Sequence, residues 1–250
     1  MWRAALRPAY HRLYRLGVRT ACVAADLARP RDLPPAMLRY RVSESLSIPM
    51  FRNVGLKCAM VIEESVSLGD GTRVLDFGCG CGRTLRWMIE RHPAVDFTGV
   101  DCDAEAIDWC RAAFPRAAFH ATQADPPLPF TDHSFDAVYC ISVFTHLDEA
   151  AQDRWLRELA RVLKPGGRLL LTIHGAGAAQ ALGAAKITEL QERGFFHTRS
   201  RKLDGIMPAW YQTSWHTAEY MMSRMAESFE AGKLRRVEDG TQDVLSATRR

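Results

Sequence analysis

Val74 to Thr84 reads VLDFGCGCGRT, and no other stretch constrains the fold as much: an apolar run ending in an acid passes directly into glycines at 78, 80 and 82. The run has the pattern of a buried strand, and the glycines let the backbone turn sharply while keeping Cβ atoms away from anything pressed against it. The rhythm then continues. A helix is expected over roughly 53–67, before this strand. After it come LRWMIERH as helix, VDFTGVD as strand, AEAIDWCRAAF as helix, AAFHAT as a short strand and DPPLPFTDHS as a loop. FDAVYCISVF reads as strand, AAQDRWLRELARVL as an amphipathic helix ended by KPGG, and GRLLLTIHG as strand. Strands alternating with helices at this spacing predict an α/β, doubly wound, mostly parallel sheet with helices on both faces. The 250 residues can share one core, with 1–52 as a helical N-terminal cap segment and 53–250 as the main domain.

In such a sheet ligands bind beyond the carboxyl ends of the strands, which is where this glycine loop falls. A phosphate loop would need Lys followed by Ser or Thr, but the chain has Arg83-Thr84. A dinucleotide fingerprint would need its third glycine at position 83. Asp76, two residues before the first glycine, would repel a pyrophosphate and suits a cation. Asp101 ends the second strand, where a carboxylate can accept both hydroxyls of a ribose, and Asp103 stands where it can cap the next helix. Cys79 and Cys81 form CxC with no matched ligand pair elsewhere, so no metal site is expected; small side chains in a tight loop explain them.

With these residues in place, the sequence resembles the class I S-adenosylmethionine-dependent methyltransferases of the small-molecule type. The resemblance rests on VLDFGCGCGRT, GVDCDAEAI, FDAVYCISVFTHL and LARVLKPGGRLLLTIHG, in that order, over about Val74 to Gly175. It implies S-adenosylmethionine as cofactor and a seven-stranded sheet closed by an antiparallel final pair, here from KLRRVED (233–239) and QDVLSA (242–247). It places the methionyl part and sugar against Asp76, Gly78, Cys79 and Gly80. The ribose falls to Asp101 and Cys102, the adenine to Thr122 with Gln123 or Asp125, and Ser142 also joins the cofactor site. Two other classes stay open. A nicotinamide oxidoreductase would share the sheet and Asp101, and a non-catalytic member would keep the cofactor pocket as a binding or regulatory module.

A sulfonium methyl is already activated, so the enzyme acts mainly by aligning the acceptor, with a base needed only if the acceptor must lose a proton. His146, His174 and His216 are the candidate bases, each with a structural histidine as the alternative. Trp210, Tyr211, Trp215 and His216 read either as an acceptor wall or as a core-edge aromatic cluster. Arg39, Arg41 and Phe51 complete the candidate acceptor contacts from the front segment. The expected acceptor is a small molecule methylated on oxygen or nitrogen.

Charge enters last. The net charge is +4, but arginines crowd Met1 to Arg41, where Trp2, Leu6, Tyr10, Leu13 and Leu16 recur at helical spacing. That segment reads as a helix on the main domain, as a lid, or as a contact for an anionic surface. No nucleic-acid motif appears, so no nucleic-acid partner is expected. Seven cysteines without disulfide-scaffold density, no long apolar run and no export signal in the arginine-rich start make a cytoplasmic location the expectation.

Overall fold

The computed structural model describes residues 2–207, 211–236 and 242–250. The cap comprises α1 (Trp2–Asp26) and α2 (Ala36–Ser43); α3 (Ile48–Ser65) then leads into β1 (Arg73–Phe77). α4 (Leu85–Arg91), β2 (Asp96–Asp101), α5 (Ala104–Ala113) and β3 (Ala118–Ala121) follow, then β4 (Phe135–Cys140), α6 (Glu149–Val162) and β5 (Leu163–Ile173). Beyond these come α7 (Ala176–Ala179), α8 (Ala184–Arg193), β6 (Phe195–Thr198), β7 (Thr213–His216), α9 (Ala218–Met225), β8 (Phe229–Arg235) and β9 (Asp243–Arg249).

Seven strands form one sheet in the order β3-β2-β1-β4-β5-β9-β8. β1 to β5 pair in parallel and β9 is antiparallel to both β5 and β8. Because both faces are covered, alternate strand residues enter different cores. Leu75, Val138, Leu169, Leu171 and Leu245 pack under α6 and α9 with Trp155 and Met221. Val74, Ala137, Tyr139, Leu170 and Val244 pack under α3, α4 and α5 with Ile62, Met88 and Ile107. The strand order reverses between β1 and β4, which opens a crevice at their carboxyl ends. Asp103 caps α5 by accepting from the Ala106 amide, and Thr217 caps α9 by accepting from that of Tyr220.

Several expectations need correction. FDAVYCISVF is strand only to Cys140: Ser142 has φ +60, a left-handed conformation that ends the ladder and turns 141–147 over the site. KPGG does not separate helix from strand; β5 begins at Leu163, and the residues from Lys164 to Gly167 bulge out where the β4 register jumps from Leu163 to Arg168. α3 starts at Ile48, capped by Ser47, so the 52/53 boundary falls inside a helix. The penultimate strand covers Phe229–Arg235, earlier than expected, and residues 237–239 of the expected segment lie outside the described residues.

Candidate active site

The glycine loop is positioned by the strand that feeds it and the strand beside it. The amides of Gly78 and Cys79 both donate to the Val100 carbonyl, at 2.9 and 3.0 Å. Gly78 and Gly80 take φ +79 and +51, and a Cβ would meet Val143 Cγ2 at 2.3 Å in the first case and Val42 Cγ1 at 2.6 Å in the second. Both positions therefore require glycine, for backbone angle and for space. The Gly80 amide donates to Asp101 Oδ2 at 2.7 Å and the Asp103 amide to Oδ1 at 2.8 Å, so Asp101 ties the loop to the corner between β2 and α5. Burial raises the Asp101 pKa, against the pull of these two amides. Cys102, at the same corner, is pushed up to about 12, chiefly by burial.

Asp76 is buried and faces the α3/α4/α5 side of the sheet, in register with Tyr139 on β4. Burial drives its carboxyl up to about 8, with Tyr139 and Arg83 pulling down and Asp101 pushing up. Its environment is short of positive charge: Arg83, the cation that acts on it, spends Nη1 on the Val42 carbonyl at 2.8 Å. Cys79 and Cys81 serve the loop itself. The Cys79 thiol leans on the Gly80 carbonyl, which Cys110 shares, and that of Cys81 on the Leu38 carbonyl. All three lie deep in the fold, and the thiols of Cys79 and Cys81 have pKa values well above the ordinary range.

On the other side of the crevice the loops after β4 and β5 are joined by β7. The Ser214 amide donates to the Thr145 carbonyl at 2.8 Å and the His216 amide to the His174 carbonyl at 2.9 Å. This brings four rings together: His146 stacks on Tyr211 at 4.2 Å and meets His174 edge-on at 6.4 Å, and Trp215 lies 5.8 Å from His174. His146 Nδ1 lies 2.7 Å from the Gln212 carbonyl and His174 Nδ1 lies 3.1 Å from that of Ser214. A carbonyl only accepts, so each Nδ1 carries the proton and each Nε2 keeps its lone pair. Burial lowers the pKa of both, that of His146 to about 4. The Tyr211 hydroxyl donates to Glu44 at 3.0 Å, which closes the end of α2 over this cluster.

His216 does not join it. Its ring is fully buried against Gln152, 2.9 Å from Nε2, and packs beside Phe195. Burial depresses it to about 3, and with no exposed surface and Nε2 on Gln152 it braces the interior of this structure. Arg39 is also buried and spends its donors on the Pro34 and Leu46 carbonyls. Arg41 clamps α2 to Asp103 and Glu105 at 2.9 and 2.8 Å, and Phe51 packs among Leu33, Leu38 and Cys81. All three hold the cap on the glycine loop. Ser142 donates its amide to Thr172 Oγ1 and bonds the Gln242 side chain. Thr122 donates its amide to the Asp101 carbonyl, and Asp125 is engaged by Arg154 at 2.6 Å near an exposed Gln123. Trp210 lies outside the described residues.

Val42, Glu44, Arg83, Tyr139 and Val143 were not among the sequence candidates. Arg83 lies inside the glycine motif and Tyr139 and Val143 inside FDAVYCISVFTHL, whereas Val42 and Glu44 carried no local signal. A hollow of about 370 Å3 between Glu63 and His92 opens at the amino ends of the strands, away from all these groups.

Residues 74–167 match the methyltransferase domain family. A fatty-acid O-methyltransferase from Mycolicibacterium smegmatis is 38% identical over 104 residues, 41% of this chain and 37% of its own length, so the chain spans well under half of that relative. Among solved structures, a SAM-dependent methyltransferase from Methanosarcina mazei covers 76% of this chain and 96% of its own, at TM-score 0.57 and 21% identity. The Burkholderia thailandensis 1,6-didemethyltoxoflavin-N1-methyltransferase, solved with its acceptor and S-adenosylhomocysteine, covers 86% and 88% at TM-score 0.60 and 17% identity. At those identities the likeness speaks for the fold, and the matched segment contains the glycine loop and both acids. Residues 74–167 thus match a methyltransferase domain, on a fold shared with solved S-adenosylmethionine-dependent methyltransferases.

Proposed function

We propose that the chain transfers a methyl group from S-adenosylmethionine to an oxygen or nitrogen of a small organic acceptor. The observation that carries this reading is the pair of carboxylates, buried Asp76 and half-buried Asp101, flanking a loop whose Gly80 amide is bonded to Asp101. The donor set fits the cofactor. Asp76 is a buried acid short of positive charge, and a cationic methionyl ammonium would supply it; Asp101 can exchange its amide bonds for ribose hydroxyls. Cys102 would stand by the ribose, Thr122 and either Gln123 or Asp125 would border the base, and Ser142 the loop beside it. When bound, the cofactor supplies a methyl already activated on a sulfonium sulfur.

The chain's own work is then alignment and exclusion of water. Tyr211, His146, His174 and Trp215 form an aromatic wall at the ends of β4 and β5 that can bury the apolar part of an acceptor. His146 is neutral above about pH 4 and keeps a free lone pair on Nε2, so it can accept a hydrogen bond from an acceptor hydroxyl or amine. A carboxylic acid acceptor is ionised at neutral pH and needs no base. The relatives fit both target atoms, one named for oxygen and one for nitrogen methylation. The test is incubation with methyl-labelled cofactor and a panel of fatty acids, phenols and nitrogen heterocycles. Label on a small acceptor, lost in Asp101→Ala, is expected. Label on protein or RNA with none on any small acceptor would overturn the reading.

A further inference from the structure

Helix α1 uses one face on the protein and leaves the opposite face bare. Inward, Cys22 is buried with Val18 and Ala25 packed beside it, and the Tyr14 hydroxyl bonds that of Tyr40 on α2 at 3.0 Å. Outward, Tyr10, Leu13, Leu16, Val23 and Leu27 are 56%, 70%, 63%, 67% and 87% exposed. At 100° per residue the four within the helix fall within an arc of about 140°, and Leu27 follows one residue past its end. The remaining positions of that arc are Ala, Gly and Thr, with no charged residue over five turns. A Cβ on Gly17, within the arc, would meet nothing within 4 Å. So continuous an apolar face on a charged helix marks a contact surface rather than scatter.

Charge identifies the occupant. From Trp2 to Ala25 there is no acid, and α1 carries five arginines. Arg12 and Arg19 run along one border of the bare face, Arg19 also donating to the Gly205 carbonyl at 2.8 Å; near the other, Lys202 sits 3.9 Å over the Tyr14 ring, beside Arg201, whose side chain is 84% exposed and 3.9 Å from Asp204. Asp26, at the end of the helix, is already engaged by Arg29 and the Ala36 amide. Asp204, the other carboxylate at this face, is likewise paired, with Arg201, so a second copy docked here would bring arginine against arginine with no uncommitted carboxylate to pair them. An anionic lipid surface answers both features: acyl chains take the apolar arc and headgroups take the arginines. Among the described residues no helix is long and apolar enough to cross a membrane, so the helix would lie in the surface.

We propose that the outer face of α1 docks the protein on an anionic bilayer surface, through Leu13, Leu16, Val23 and Leu27 in the headgroup region and Arg12 and Arg19 at its border. The inference stands apart from the methyl-transfer reading and is tested without turnover. The purified chain is floated with vesicles of phosphatidylcholine alone and of phosphatidylcholine with about one-third phosphatidylglycerol. Binding to the second and not the first is expected, with release at about 0.5 M salt. Leu13→Ser/Leu16→Ser and Arg12→Glu/Arg19→Glu should each weaken it roughly tenfold or more. Both pairs are solvent-exposed, and unchanged thermal midpoints establish that the variants are folded. Equal binding to both vesicle types, or binding indifferent to the leucine pair, would overturn the proposal. It would also fall if sedimentation showed a dimer lost with the leucine pair, or if polyglutamate were captured, while no vesicle was bound.

Discussion

Asp76 links a residue's environment most directly to a measurable event. Its carboxyl sits near 8 because burial outweighs Tyr139 and Arg83, so at pH 7 it holds a proton in the free chain. A cationic ligand beside it favours the ionised form, so binding should release up to about one proton. Calorimetry in buffers of different ionisation enthalpy reads that release directly. Asp76→Asn should abolish it, and release unchanged in that variant would refute the assignment. Asp101 and Gly80 act differently. Asp101→Asn keeps the shape of the corner but loses the charge on two amides, and cofactor affinity should fall by about tenfold or more. Gly80→Val forces a Cβ to 2.6 Å from Val42 at φ +51, so the loop and α2 cannot both keep their places. Its affinity should fall further, with a lower melting midpoint.

At the scale of elements, two contacts decide how the ends of the chain meet the sheet. Arg41 holds α2 against the start of α5 through two carboxylates, with its own side chain only 24% exposed. Arg41→Ala should cost about 1 kcal/mol and speed amide exchange across α2, while β1 and β4 remain protected. At the opposite edge, Gly232 lies where the β8–β9 register shifts between Glu230 and Lys233, and a Cβ there would sit 1.3 Å from the Ser246 carbonyl oxygen. Gly232→Val should therefore unpair β8 from β9 and lower stability by about 2 kcal/mol or more in urea titrations. These elements differ in how far the sequence shows them. β1, β2, β4 and their helices stand out because apolar runs and helical spacing report burial on one face or two. The length of the strand at 135–144 does not, because Ser142 ends it through a conformation that its bond to Thr172 stabilises.

Across the whole molecule, buried histidines set an acid limit. His216 and His146 have folded pKa values near 3 and 4, below the ordinary 6.5, so the unfolded chain binds more protons between those limits. Their contribution is complete above about pH 6.5 and is lost as pH falls toward 4 and then 3. At pH 5 each takes away at most about 2 kcal/mol of the stability held at pH 7.5. Denaturant midpoints at the two pH values should show the loss, and His216→Gln should reduce its pH dependence even if the variant is less stable at both. A pH dependence identical to wild type would place the acid sensitivity elsewhere.

The sequence alone determined the sheet and the glycine-loop end of the crevice. Those features are local: a strand, a glycine loop and an acid on the next strand are fixed by spacing within about 30 residues, and periodicity records which positions face inward. The opposite, aromatic end was decided only by tertiary structure. Val42 and Glu44, the loop from Ile141 to Leu147, and Tyr211 to Trp215 lie far apart in the chain, and β7 joins the second to the third through the Thr145 and His174 carbonyls. Periodicity shows that Arg39 or His216 belongs to a buried face, but not what covers that face. Arg39 turned to backbone carbonyls and His216 to Gln152 because a buried polar group must find a partner, and the nearest ones came from segments whose arrival no local pattern records.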